Sequence, residues 1–131
     1  MIVVDAVLVA GFLFHTDDLH AAAVQLRKRD ADWHGPELVL SEIRSVALKR
    51  HKAGDSLDAV ALAADMVSKV VTLHRLEGVP VLHAAVEGGL WSYDAEYVAL
   101  ARQLKCRLVT TDSEILKNFP ALAVRPKEIA A

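Results

Sequence analysis

Four acidic residues, far apart in the chain, stand among apolar or small neighbours: Asp5, Glu42, Asp94 and Asp112. A carboxylate in apolar surroundings is costly to bury unless a cation or hydrogen bonds compensate its charge. Because these positions bring oxygen ligands and no Cys or His partner, they favour Mg²⁺ or Mn²⁺ over Zn²⁺. The four acids therefore predict a site for one or two divalent cations, which would activate water and stabilise a displacement at phosphorus.

Each acid taken alone also has a structural explanation. An Asp that follows a strand is often the N-cap of the next helix, and Asp94 and Asp112 are both well placed for that role. A similar context at four positions favours the metal site.

The elements that must position these acids alternate between strand and helix. Residues 2–4 are a β-branched run that ends at Asp5, as expected of a central parallel strand. A helical stretch follows from about residue 7 to 29, with a break near 15–18. A short extended piece at Trp33 and His34 precedes Pro36, which we place in the first turn of the helix that carries Glu42.

The second half of the chain continues the alternation. Apolar residues at helical spacing predict a helix from about residue 57 to 71. The segment 72–89 is harder to interpret, with a break at Gly78 and a helix end at Gly88-Gly89. Ser92 or Asp94 would cap the next helix, residues 107–111 form a strand that delivers Asp112, and 123–124 form an edge strand. The pattern predicts one α/β domain, 1–131, with a parallel sheet of four or five strands and helices on both faces.

Composition limits the classes of function. The 131 residues carry a net charge of −2, so a nucleic-acid contact would depend on local positive charge or be brief. Apolar residues make up 53% and aromatic residues 5%, which favours a packed core over a stacking platform for bases. The single cysteine, Cys106, allows no intramolecular disulfide and fits a reducing cytosol, and no apolar run suggests a membrane span or a signal peptide.

Four segments together resemble the PIN domain, and most closely its VapC-type toxins. They are MIVVDA at the start, PELVLSE at 36–42, SYDAEYVALA at 92–101 and LVTTD at 108–112. The resemblance covers nearly the whole chain, in the order of the family. It implies a three-layer α/β/α sandwich and Mg²⁺ or Mn²⁺ at Asp5, Glu42, Asp94 and Asp112. It further implies cleavage of single-stranded RNA, a homodimer and a neutralising antitoxin.

The sequence departs from the family pattern at two positions. Ala6 and Val7 follow the first acid, where the family usually has a Ser or Thr, and Ser45 stands where it often has Asn. Thr110 and Thr111 match the approach to the last acid and are expected to orient Asp112, as Ser45 is expected to support the metal ligands.

The sequence gives less specific indications for the roles of several other residues. Lys49 and Arg44 are candidates for phosphate contacts near the site, while Trp33 and Trp91 are expected to pack in the core or in a dimer. A haloacid-dehalogenase-like phosphatase is disfavoured because Val7 replaces its second Asp, and a receiver domain because no acid pair precedes the first strand. A degenerate PIN module that binds RNA or a partner protein without cleavage stays open as the alternative.

Overall fold

Strand β1, Ile2–Val4, lies at the centre of the sheet because all three of its side chains are apolar and buried. In the computed structural model, which describes residues 1–129, the sheet has five strands, all parallel, in the order β3-β2-β1-β4-β5. The other strands are β2 (Trp33–Pro36), β3 (Val71–His74), β4 (Arg107–Val109) and β5 (Ala123–Val124).

Helices cover both faces of this sheet. The crossovers from β1 to β2 to β3 advance one way, whereas those from β3 to β4 to β5 advance the other way. Right-handed crossovers therefore place their helices on opposite faces. The predicted parallel sheet and α/β/α sandwich are confirmed. The helices are α1 (Ala6–Leu13), α2 (His20–Arg29), α3 (Leu38–Lys52), α4 (Leu57–Asp65), α5 (Val67–Val70), α6 (Gly78–Gly88), α7 (Ser92–Leu104) and α8 (Ser113–Asn118), with a 3₁₀ turn at Pro126–Glu128.

The register of β1 against β4 decides which residues meet at the carboxyl edge of the sheet. Val4 pairs with Val109, and the Asp5 backbone N–H donates to the Val109 carbonyl at 3.1 Å. One step further along each strand, Asp5 and Thr110 stand side by side. The pairing of β1 with β4 thus brings together, at this edge, two residues that are 105 positions apart in the sequence.

Helix α7 packs across the middle of the sheet, against β1, β2 and β4. Three of its six buried side chains are alanines, and two of them, Ala95 and Ala101, are fully buried and let the helix approach closely. Helix α6 packs beside α7 and ends as predicted at Gly88, with Gly89 in the left-handed conformation at φ 64°. Among the described residues, no helix has the length and apolar character that a membrane span requires.

Two predicted boundaries were wrong. Pro36 does not begin a helix; it ends β2, where Glu37 N–H donates to the His74 carbonyl at 2.9 Å, and α3 begins at Leu38. Proline is tolerated there because β1 pairs with β2 only as far as His34, so no neighbour needs its missing N–H. The second error is the end of the predicted helix 57–71. Val71 fits the helical spacing but is the first residue of β3, where it pairs with Trp33.

Candidate active site

The four acids predicted from the sequence line one cleft of about 140 Å³ at the carboxyl edge of the sheet. Asp5 and Asp112 follow the ends of β1 and β4, whereas Glu42 lies in the second turn of α3 and Asp94 in the first turn of α7. Four separate segments therefore contribute one carboxylate each, and the β1–β4 pairing holds two of them in place.

Asp5 is the most buried of these acids, with 9% of its surface exposed. Its Oδ1 atom accepts a hydrogen bond from the Leu8 backbone N–H at 3.3 Å, which caps α1, and its Oδ2 atom accepts one from the Thr110 hydroxyl. Burial raises the pKa of Asp5, although both hydrogen bonds act to lower it. Asp5 is thus both a structural cap and a wall of the cleft.

Thr110 connects the two acids that follow the central strands. Its fully buried hydroxyl accepts a hydrogen bond from the Asp112 backbone N–H at 3.0 Å and donates one to the Asp5 carboxylate. The hydroxyl is therefore fixed in both roles. Thr111 lines the cleft and is half-buried.

Glu42 has a partner that the sequence analysis did not identify. The Tyr97 hydroxyl, on α7, donates a hydrogen bond to Glu42 Oε1 at 2.5 Å. Burial raises the pKa of Glu42 more than this hydrogen bond lowers it, while burial and the Glu42 charge raise the pKa of Tyr97, so the hydroxyl keeps its proton. The sequence could have indicated Tyr97, because a tyrosine on the core face of a helix needs a hydrogen-bond partner for its hydroxyl.

Asp94 and Asp112 form the exposed side of the cleft. Asp112 Oδ1 accepts from the Ile115 backbone N–H at 2.9 Å and caps α8, so its predicted capping role is confirmed. Asp94 is not a cap, because α7 begins at Ser92 with Trp91 as its N-cap, and the predicted cap by Ser92 or Asp94 was wrong. Partial desolvation, followed by repulsion from Asp112 and Glu114, raises the pKa of Asp94.

The donor set suits a hydrated magnesium ion. In the described part of the chain, no three His, Cys, Asp or Glu side chains stand close enough to hold an ion directly. Mg²⁺, however, keeps several waters and commonly uses only one or two carboxylates. A cleft of about 140 Å³ has room for an ion with some of its waters, which occupy roughly 30 Å³ each. The residues present therefore fit a water-rich Mg²⁺ or Mn²⁺ site.

The remaining predicted residues lie on α3, outside this cleft. Ser45 is exposed and borders a neighbouring groove that also contains Glu42. Lys49 is exposed one turn further along the helix. Arg44 lines a different groove, between α3 and α4, so the structure does not bring it to the acids. The phosphate-binding roles stay predictions.

A parallel α/β/α fold with four acids at the carboxyl edge of its sheet is typical of a domain that binds its ligand at that edge. Comparison with known protein families identifies which one it is. Residues 2–121 match the PIN domain, and the chain belongs to this family, as its resemblance predicted. PIN domains are generally nucleases.

Solved structures support the same fold. The crystal structure of PAE2754 from Pyrobaculum aerophilum has a TM-score of 0.73 and 23% identity over 96% of this chain and 90% of that one. The structure of VapBC2 from Rickettsia felis, bound to a DNA fragment from its promoter, has a TM-score of 0.67 and 12% identity over 95% of this chain and 98% of that one. No curated protein has a significantly similar sequence.

Proposed function

We propose that this chain is a Mg²⁺- or Mn²⁺-dependent endoribonuclease that cleaves single-stranded RNA or RNA loops. The observation that carries the proposal is the convergence of Asp5, Glu42, Asp94 and Asp112 on one cleft from four separate segments of the chain. The four acids lie in segments that resemble PIN motifs, and the family is one of nucleases.

In this proposal the four carboxylates would hold the hydrated ion together with its waters, since no three of the described acidic, His or Cys side chains stand close enough to bind it directly. When bound, the ion supplies an activated water and offsets the negative charge that develops at phosphorus. Thr110 holds the Asp5 carboxylate in position and Tyr97 holds that of Glu42, so the inner wall is fixed by hydrogen bonds. Asp94 and Asp112 face the open side, where the RNA phosphate would approach. Because the cleft is recessed and small, a flexible single strand enters it more easily than a stiff duplex.

Two partners belong to the same proposal. The R. felis structure contains a VapBC2 toxin–antitoxin pair, and we infer that this chain acts as a toxin that an antitoxin neutralises. Large apolar side chains on the exposed helix surfaces, among them Leu82 and Val86 on α6, support a homodimer.

The decisive experiment is a cleavage assay on end-labelled RNAs of one sequence, either single-stranded or closed into a hairpin with a loop. We expect Mn²⁺-dependent cleavage of the single strand and the loop, and none of the stem. Asp94→Asn should abolish this activity. Asp58→Asn is the matched control, because Asp58 also lies in the first turn of a helix, α4, but does not line the cleft.

The alternative is a PIN module that binds RNA or a partner protein without cleaving. The absence of a hydroxyl at Ala6 favours it, since the family usually has one there. Mn²⁺-independent RNA binding by the wild type, without cleavage of any substrate, would establish this alternative instead.

A further inference from the structure

Two of the seven aromatic side chains are exposed, and they lie two residues apart. Trp91 is 83% exposed and Tyr93 is 63% exposed. The other five are buried or half-buried, so the exposure of Trp91 and Tyr93 is not typical of the aromatic side chains in this fold. These five are Phe12, Phe14, Trp33, Tyr97 and Phe119. Of the two roles predicted for Trp91, packing in the core is excluded by its exposure, whereas a contact in a dimer stays a prediction.

Both exposed rings border a groove of about 480 Å³ that adjoins the acidic cleft. The groove and the cleft share Glu42 and Asp94, so these two side chains form the border between them. The opposite wall is α3, which presents the hydroxyls of Ser41 and Ser45. The groove is therefore within reach of the nucleotide next to a phosphate that lies against the acids.

The backbone fixes the rings relative to the site. Trp91 is the N-cap of α7 and Tyr93 is the second residue of that helix, immediately before Asp94. The helix that carries Asp94 therefore also carries Tyr93, and Trp91 immediately precedes it. The backbone of both residues is thus fixed by the first turn of α7.

Among the described residues, no basic side chain lines the place where an RNA strand would lie. Neither the cleft nor the groove is lined by a Lys, Arg or His among residues 1–129, whereas four carboxylates repel a phosphate backbone. Stacking of a base on an aromatic ring is independent of this repulsion, because each base has an apolar face. Two exposed rings next to an anionic cleft therefore offer a kind of contact that does not depend on the charge of its side chains.

We propose that Trp91 and Tyr93 stack the unpaired base next to the scissile phosphate and thereby position single-stranded RNA in the cleft. The inference rests on the proposed function, because it assumes that RNA is the substrate of the acidic site. A paired base has its faces covered by its neighbours, so the platform also selects for unpaired strands.

The test measures binding of a fluorescein-labelled RNA octanucleotide in Mg²⁺, with Asp112→Asn as the parent so that the RNA stays intact. Trp91→Ala and Tyr93→Ala should each weaken binding by roughly five- to 100-fold, the size of a base–aromatic stack, and Trp91→Phe should keep most of the affinity. The slope of log Kd against log salt should not change, since no counterion-releasing contact is lost. Leu62→Ala is the control for an exposed apolar side chain elsewhere, on α4.

Tryptophan fluorescence gives a second readout. The chain has two tryptophans, and Trp33 is 1% exposed, so quenching by added RNA reports on Trp91. Quenching that vanishes with an octanucleotide of abasic sites supports stacking. An unchanged Kd for Trp91→Ala overturns the proposal. So does a change from dimer to monomer on Trp91→Ala without quenching by RNA, which would make the rings a contact with a second copy.

The outcomes separate this inference from the proposed function. Cleavage by the wild type with no effect of Trp91→Ala on RNA binding refutes stacking alone. Binding that depends on Trp91, without cleavage by the wild type in Mn²⁺, refutes the nuclease and leaves the stacking platform in place.

Discussion

The Thr110 hydroxyl donates a hydrogen bond to the Asp5 carboxylate across 105 residues of sequence. The same oxygen accepts from the Asp112 backbone N–H at 3.0 Å. One buried side chain therefore sets the distance between two walls of the cleft, and its loss should alter both stability and metal binding.

Thr110→Val keeps the shape of the side chain but removes both hydrogen bonds. We expect a loss of about 1–3 kcal/mol in the free energy of unfolding, because the Asp5 carboxylate and the Asp112 N–H lose a buried partner. Mn²⁺ affinity should fall roughly 10- to 100-fold, as for other groups that orient metal ligands. Chemical denaturation and a Mn²⁺ titration measure the two effects. Thr72→Val, at an exposed position of β3, is the control; equal effects at both sites would contradict the prediction.

Asp94→Asn should separate metal binding from helix capping, because Asp94 caps no helix. Without metal, removing one of four neighbouring charges should leave the protein as stable as the wild type, or more stable by at most about 1 kcal/mol. Mn²⁺ should raise the Tm of the wild type but not that of the variant. Thermal unfolding with and without Mn²⁺ measures this. An equal metal-induced shift in both proteins would remove Asp94 from the site.

The pH dependence of the metal-free protein has a definite sign. The pKa values of Asp5, Glu42 and Asp94 are raised in the folded state, mainly by burial. Their contribution to stability is complete below the unfolded values, about 4, and is lost as the pH rises through the folded pKa values. Burial lowers the pKa of His74, which acts in the opposite sense below its unfolded value of about 6.5.

A comparison of two proteins isolates the acid. The difference in Tm between Asp94→Asn and the wild type, measured in EDTA, should be largest at neutral pH and shrink towards pH 4, roughly the value at which an unperturbed Asp is half protonated. The contribution of His74 cancels in this difference. A difference that is constant across the range would show that the charge of Asp94 has no energetic cost.

Tyr97→Phe removes the donor to Glu42 Oε1 with little change of volume. Because this hydrogen bond lowers the pKa of Glu42, its loss should raise that pKa further. The acidic limb of the cleavage profile should move to higher pH, and the rate near neutrality should fall roughly 10- to 100-fold. A rate profile across the weakly acidic to weakly basic range tests this. An unmoved acidic limb would mean that Glu42 does not need to be ionised.

The homodimer is tested by mass. Leu82 and Val86 are 59% and 85% exposed on α6, and an isologous contact would cover such side chains. Light scattering at micromolar concentration should give twice the chain mass of 14.2 kDa. The mass of a single chain would contradict the prediction.

The centre of this fold was easier to predict from the sequence than its edge. Strand β1 is a continuous apolar run that ends at an acid, a pattern typical of a parallel strand that is covered on both faces. Strand β3 lies at the edge and is only partly buried, so its residues show neither clean alternation nor a full apolar run. Val71 fitted a helical spacing equally well, and only its pairing with β2 excludes that interpretation.

The acids were accessible to sequence reasoning because each stands out against its neighbours. Their hydrogen-bond partners were not accessible. Tyr97 and Glu42, for example, lie 55 residues apart and meet only after α3 and α7 pack. The low aromatic content of 5% argued against a stacking platform for bases. This argument was incomplete, because composition is an average over the chain and the two exposed rings lie at one groove.

The pairing of β1 with β4 also determines when the cleft can form. On the ribosome, Asp5 and Glu42 emerge early, but Arg107–Val109 must leave the exit tunnel before the centre of the sheet closes. Until then β1 has a neighbouring strand, β2, on one side only, and there is no Thr110 to hold Asp5. The complete cleft, and with it the proposed activity, is therefore absent until β4 has been synthesised.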